Sequence, residues 1–195
     1  MLEPWQQLFE SQIVDRFEGS IAWMYLDTDG LVTVGKGCQV GLAEALTLAF
    51  MVQGCAATPA EIEADYCRVV AEDPGLYAGY YRAAASPLLS NAGIEALVAS
   101  RISAATSSLR AMFSDFYTWP DDAKIATLEM PWGLGMGQFQ KWPHLIAALR
   151  RRDWQAAAAE CSWVDSKGFY AQRNAHRMLL YETAAKEAVC IPTTS

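Results

Sequence analysis

Trp5, Phe9, Ile13 and Phe17 recur every four residues, an apolar stripe with the period of one helical face, and Gly19 stands where such a helix would end. The pattern then changes. Residues 21–26 (IAWMYL) and 31–34 (LVTV) are rich in aromatic and β-branched side chains and flank Asp29-Gly30, a dipeptide suited to a tight hairpin turn. This is the one substantial sheet the pattern predicts. Residues 42–53 are apolar and compatible with a helix, and Thr58-Pro59-Ala60-Glu61 has a capping-box pattern with proline at the first helical position, so another helix is expected from about residue 59. From Ser90 onward, Ile94, Val98, Ile102, Ala105, Leu109 and Met112 step by three or four and predict a long linking helix. Beyond it, Asp121 or Asp122 is placed to cap a helix toward Met130, Pro143 to open one through Leu149, and Asp153 to cap one through Cys161. A last helix is expected over roughly residues 170–189.

The expected fold class is therefore mainly α, of α+β type, with a small hairpin sheet. Residues 1–89 carry the N-terminal helix, the hairpin and an enlarged helical insertion, and residues 90–195 carry the linking helix and a helical lobe. No repeat or Pro/Ser-rich linker separates them, so residues 1–195 read as one continuous domain. With 52% apolar residues among 195, the chain is long enough to bury a substantial core. Its 22 acidic and 15 basic residues give a net charge of −7, which opposes attraction to nucleic acid or anionic lipid and means that an anionic wall polymer would have to be held by local contacts. No apolar run reaches the roughly 18 residues of a membrane-spanning helix. The start MLEPWQQLFE lacks the basic and apolar regions of a signal peptide, so synthesis in the cytoplasm is expected. Cys38, Cys55, Cys67, Cys161 and Cys190 are odd in number and free of CxxC spacing, and they read as small core thiols in a reducing compartment. A Cys161–Cys190 disulfide stays open should the protein be carried outside.

Two carboxyl groups stand out. Glu18 falls at a helix end and Asp27 beside a hairpin turn, so two separate elements can present acids to one site, the pairing that glycoside hydrolysis requires. One acid must protonate the leaving oxygen; the other must attack the sugar or deprotonate a water. The negative end of a helix dipole and partial burial both favour a protonated Glu18, whereas Asp27 beside a polar turn ionises more readily. The plain alternative is a solvated helix end and an Asp that closes its own turn. Other chemistries lack their parts. His144 and His176 have no partner at metal-ligand spacing, no G-x-S-x-G elbow occurs, and G-L-G-M-G at 133–137 has neither a preceding strand nor a following Walker lysine, so neither metal nor organic cofactor is expected. Arg150, Arg151 and Arg152 read as a solvated helix end.

The run FEG-SIAWMYLDTDGLVTVGKG resembles the opening of phage-type lysozymes: an acidic helix end, a Y-x-D-T-x-G turn, then T-x-G-x-G. The resemblance implies Glu18 as catalytic glutamate, Asp27 as its aspartate and Thr33 as the threonine that positions water, with Gly37 in the same motif near the substrate. ATLEMPWGLGMGQF looks like the helix and glycine-ended bend of that family, which places Trp132, Gly133 and Met136 against the glycan. It is followed by the similar RRRDWQAAAAEC and RNAHRMLLYETAA, where Arg173, or alternatively Arg177, would face the glutamate. An arginine there would lower the glutamate pKa and oppose the helix-end effect. The likeness spans most of the chain outside roughly residues 40–88 and is closest to bacterial cell-wall hydrolases, some delivered as antibacterial effectors. It implies a two-lobed lysozyme-like fold and a muramidase acting on peptidoglycan glycan strands, in the cell wall or periplasm once released or delivered, with an immunity or secretion protein as a further partner. Cys38 replaces the His or polar residue usual after T-x-G-x-G. A lytic transglycosylase and a non-catalytic lysozyme-like binding module are the rival readings.

Overall fold

The computed structural model describes residues 1–164, 168 and 170–190, apart from the Cys190 side chain. In chain order the elements are α1 (Pro4–Phe9), a π-helical turn (Glu10–Val14), α2 (Asp15–Phe17), β1 (Ile21–Leu26), β2 (Val32–Gly35), β3 (Cys38–Gln39), α3 (Leu42–Ala45), β4 (Phe50–Val52), β5 (Cys55–Ala56), α4 (Pro59–Val70), a 3-10 turn (Ala78–Tyr81), β6 (Leu88–Leu89) and α5 (Asn91–Met112). After a 3-10 turn (Phe116–Thr118) come α6 (Asp121–Leu134), α7 (Met136–Phe139), α8 (Pro143–Arg150), α9 (Trp154–Glu160) and α10 (Ala171–Cys190). The fold is mainly α with two small antiparallel sheets. Among the described residues no helix is long and apolar enough to cross a membrane. The chain divides into two compact units, one of residues 14–101 and one of residues 1–13 with 102–195.

In the unit of residues 14–101, β1, β2 and β3 form one sheet, with Tyr25 opposite Thr33 and Thr33 opposite Gln39. The Asp29-Gly30 turn lies where the sequence places it, with Gly30 at φ 77°. A second sheet, in the order β5-β4-β6, corrects the expectation of a single sheet and of a helix over residues 42–53. Helix α3 stops after four residues, and Phe50–Val52 instead pairs on both sides, with Cys55–Ala56 and with Leu88–Leu89. Gln53 and Gly54 both take positive φ, at 49° and 84°, which is the backbone of a type I′ hairpin turn. Helix α4 starts as its capping box requires: Thr58 accepts from the Glu61 amide, the Glu61 carboxylate accepts from the Thr58 amide, and Pro59 fills the first position.

The enlarged region is held to the first sheet by specific bonds. Gly75 N–H donates to the Asp27 carbonyl (3.1 Å), and Trp23 Nε1 donates to the Ala78 carbonyl (2.8 Å). Inside it, the fully buried Tyr81 donates its hydroxyl to the Asp73 carbonyl (2.6 Å) and accepts from the Leu76 amide. Arg68 spans Asp65, Ser86 and the Tyr81 carbonyl.

In the unit of residues 1–13 and 102–195, α10 packs against α6 and α9, and α1 against α6. Trp119 makes tilted or edge contacts with Phe113, Phe116 and Trp154, and Phe116 with Trp5. Asp153 caps α9 through the Ala156 amide, as its position predicts. At the centre of this unit lies Glu129, with no exposed surface. Its two oxygens accept from Arg173 Nε (3.0 Å) and Arg177 Nε (3.1 Å). Arg177 also donates to the Cys161 carbonyl, and its guanidinium lies over the Trp163 ring at 4.1 Å from the centroid. Asn174 completes the clamp by accepting from the Trp163 amide and donating to the Trp163 carbonyl. One turn of α10 thus grips α6 and the segment that follows α9. Cys161 is a buried free thiol donating to the Ala158 carbonyl; the Cys190 side chain lies outside the described residues.

Burying an ion pair costs as much hydration as its attraction returns, but removing one partner strands the other charge in the core. Glu129→Ala is therefore expected to lower the unfolding free energy by about 3–5 kcal/mol, whereas Thr58→Ala, losing a solvated cap, costs only about 1 kcal/mol. Urea denaturation of the two variants checks the ranking, and an equal cost would refute the assignment of Glu129 as the central charge.

Candidate active site

Glu18 follows Phe17, the last residue of α2. Its own backbone is already extended (φ −106°, ψ 137°), yet its amide still closes the helix by donating to the Val14 carbonyl at 3.0 Å. The helix end therefore fixes the Glu18 backbone while leaving the side chain to leave the helix axis. That side chain reaches the backbone at Gly37: a Cβ added there would lie 3.2 Å from Glu18 Oε2 and 3.6 Å from its carboxyl carbon. Gly37 also has φ 71°, a conformation that side chains rarely tolerate, so the backbone itself favours glycine there.

Asp27 sits at the other end of β1, immediately before the turn. Its Oδ1 accepts from the amides of Asp29 and Leu31, both at 2.9 Å, which closes the turn in the manner common for aspartate. Its Oδ2 accepts from Gln39 Nε2 at 3.0 Å and, at 3.4 Å, from the Thr33 hydroxyl. The Thr33 hydroxyl has a second acceptor, the Leu31 carbonyl at 3.1 Å, and its single proton serves one of the two at a time. All these partners of the carboxylate are donors. The plain reading of Asp27 as a turn-closing residue thus accounts for one oxygen and leaves the other facing side chains of β2 and β3.

Tyr25 links the two acids electrostatically. Burial pushes its phenol up to about 12, and the negative charges of Glu18 and then Asp27 add to the shift, so the hydroxyl stays a proton donor at neutral pH within the field of both carboxyl groups. Cys38 behaves similarly. Burial raises its thiol to about 11 despite the nearby Arg101 guanidinium, with Glu44 and Glu18 contributing in the same direction as burial. Arg101 fixes this end of β3 by donating to the Gln39 carbonyl and to Glu44.

One unit therefore brings together Glu18, Asp27, Thr33 and Gly37. Trp132, Gly133, Met136 and Arg173 belong to the other. There Trp132 is half-buried, with its ring edge-on to Phe9 at 5.6 Å, and Met136 is half-buried at the start of α7 after Gly135, whose φ is 77°. Gly133 has a packing reason to be glycine, since a Cβ would come within 2.3 Å of the Trp163 ring. Arg173 donates to Glu129 and lies over Trp163, 5.0 Å from its centroid. His144 lines an open pocket of about 310 Å³ with Lys141, Trp142, Glu160 and Ser162. Among the described residues no group of three His, Cys, Asp or Glu side chains is placed to share a metal ion.

Sequence reasoning passed over Tyr25, Gln39 and Glu129. Tyr25 stands two residues before Asp27 in the quoted motif and is in principle legible. Gln39 carries no pattern, because its role depends on the register of β2 with β3.

The thiols give a direct check. The thiolate is the reactive form, so Cys38 and Cys161, both buried and both pushed up to about 11, should resist alkylation at pH 8, while the exposed Cys55 and Cys67 react. Peptide mapping after brief treatment of the native chain reads the four sites, and rapid labelling of Cys38 would contradict its placement. Because its folded pKa lies above the ordinary value of 9.0, Cys38 stabilises the fold most below about pH 9, and that contribution is lost as pH rises through 9 toward 11. Compared with known proteins, the chain matches no family model and no curated sequence.

Proposed function

We propose that this chain is a peptidoglycan hydrolase, a muramidase cutting the β-1,4 bond between N-acetylmuramic acid and N-acetylglucosamine. The observation that supports the reading best is the placement of two carboxyl groups by two different elements of one unit, both acting on the phenol of Tyr25. Asp27 accepts from four donors, and Glu18 lies against the backbone of Gly37. The motif likeness of residues 17–37 to phage-type lysozymes points the same way.

In this reading Glu18 gives its proton to the glycosidic oxygen as the bond to the anomeric carbon breaks. Asp27 Oδ2 takes a proton from a water whose oxygen forms the new bond to that carbon from the opposite face of the ring. Thr33 Oγ1, beside Asp27 Oδ2, orients that water. Gln39 holds the carboxylate in place. Oδ1 stays bonded to the turn, so the aspartate is fixed at one oxygen while the other does the chemistry. A base that works through water produces inversion, and the product from a β-linked glycan is the α anomer.

Mass analysis of soluble fragments from purified peptidoglycan is expected to find reducing muropeptides. Anhydro muropeptides would replace hydrolysis by transglycosylation, and an absence of fragments would remove catalysis altogether. NMR of the first products, before mutarotation, is expected to show the α anomer. Initial β product would make Asp27 a nucleophile instead of a base.

A further inference from the structure

The segment 73–81 lies outside the residues that resemble phage-type lysozymes and carries the most exposed aromatic side chains of its unit: Tyr77 is 81% and Tyr80 56% exposed, with Leu76 beside them also exposed. Such side chains usually cost little when scattered, but these are grouped on a segment that is otherwise firmly held. Its backbone is pinned at four places. Gly75 donates to the Asp27 carbonyl, Leu76 donates to Tyr81 Oη, Tyr81 donates to the Asp73 carbonyl, and the Ala78 carbonyl accepts from Trp23. Close packing supports the same junction: Pro74 lies within 3.6 Å of a Cβ placed on Gly30, and Thr28 Cα within 3.7 Å of one placed on Gly75. The tyrosines are posed as well. The Tyr77 ring lies across Gly79, where an added Cβ would fall 1.8 Å from its hydroxyl oxygen and would displace the ring from this position. Tyr80 is held by a hydrogen bond from its hydroxyl to Glu72 and by an edge contact with Tyr81.

Two exposed tyrosines on a pinned backbone, beginning two residues from a backbone bond to Asp27, have a natural occupant. Pyranose rings offer apolar C–H faces rimmed by hydroxyl and amide groups, which suits a tyrosine presenting an apolar body and a polar tip. We propose that Tyr77 and Tyr80 form a saccharide-stacking subsite that receives a sugar of the same glycan strand beyond those at the Glu18–Asp27 pair. This rests on the glycan-hydrolase reading above. With its backbone pinned before any ligand arrives, the segment loses little main-chain freedom on binding, and its contribution is to chain-length preference.

The test compares soluble peptidoglycan oligosaccharides of two and of four disaccharides. The unmodified chain is expected to show a lower KM for the longer substrate. Tyr77→Ala should raise KM for the longer substrate by about tenfold and erase the length preference, while Tyr77→Trp, keeping an aromatic face, restores it. Thermal unfolding of each variant establishes that it is folded, and Tyr80→Ala provides a second variant should Tyr77→Ala fail to fold. Cleavage by the unmodified chain with the length preference intact in a folded alanine variant would overturn the subsite alone. Failure of the unmodified chain either to bind or to cut both oligosaccharides would overturn the subsite together with the reading on which it rests.

Discussion

Asp27 ties together the turn, the sheet and the segment docked on it. One carboxylate oxygen closes the β1–β2 turn, the other draws in Gln39 from β3 and Thr33 from β2, and its carbonyl takes both Gly30 and Gly75. Remove those acceptors and the turn, the side-chain geometry along the sheet and the docking of residues 73–76 lose a common anchor. A carboxylate so supplied with donors is held in one orientation by the turn and the sheet together. In the proposed mechanism this suits Asp27 to its role, since a base that must hold an attacking water gains from having its other oxygen immobilised.

The second unit is organised by the same physics with a different outcome. Glu129 is sealed from solvent and shared between two arginines, which in turn reach Cys161 and stack on Trp163. The network ties together segments 44 and 48 residues apart in sequence, and its geometry accounts for residues whose type is otherwise arbitrary. Gly133 leaves room for the Trp163 ring, and Asn174 satisfies both backbone groups of Trp163. A polar cluster this deep specifies one arrangement of α6 and α10, because any other leaves a charge stranded.

Much of this was legible in local pattern, and the misses share a cause. The Thr58 capping box, the Asp153 cap, the Asp29-Gly30 turn and the stepping of Ile94, Val98, Ile102 and Leu109 along α5 depend on neighbours within a few residues. The apolar stretch from Leu42 to Val52 does not decide between helix and strand by period alone; the choice is made by Leu88–Leu89, far along the chain, and by the positive φ of Gln53 and Gly54. Glu129 in the middle of a helix reads as solvated until two arginines from α10 are brought to it. Gln39 gains meaning only from strand register. Glu18 and Asp27 stand out as candidates because a helix end and a hairpin turn are locally encoded, whereas Thr33 and Gly37 enter through the motif likeness alone.

The central claim is that Glu18 and Asp27 act as acid and base on one glycosidic bond. The most direct measurement is kcat/KM on purified peptidoglycan as a function of pH, for the unmodified chain and for folded Glu18→Gln and Asp27→Asn variants. The account predicts a bell-shaped profile for the unmodified chain and a loss of roughly 10² to 10⁴ in rate when either carboxyl becomes an amide. Either variant turning over at the unmodified rate, with the same pH profile, would contradict it.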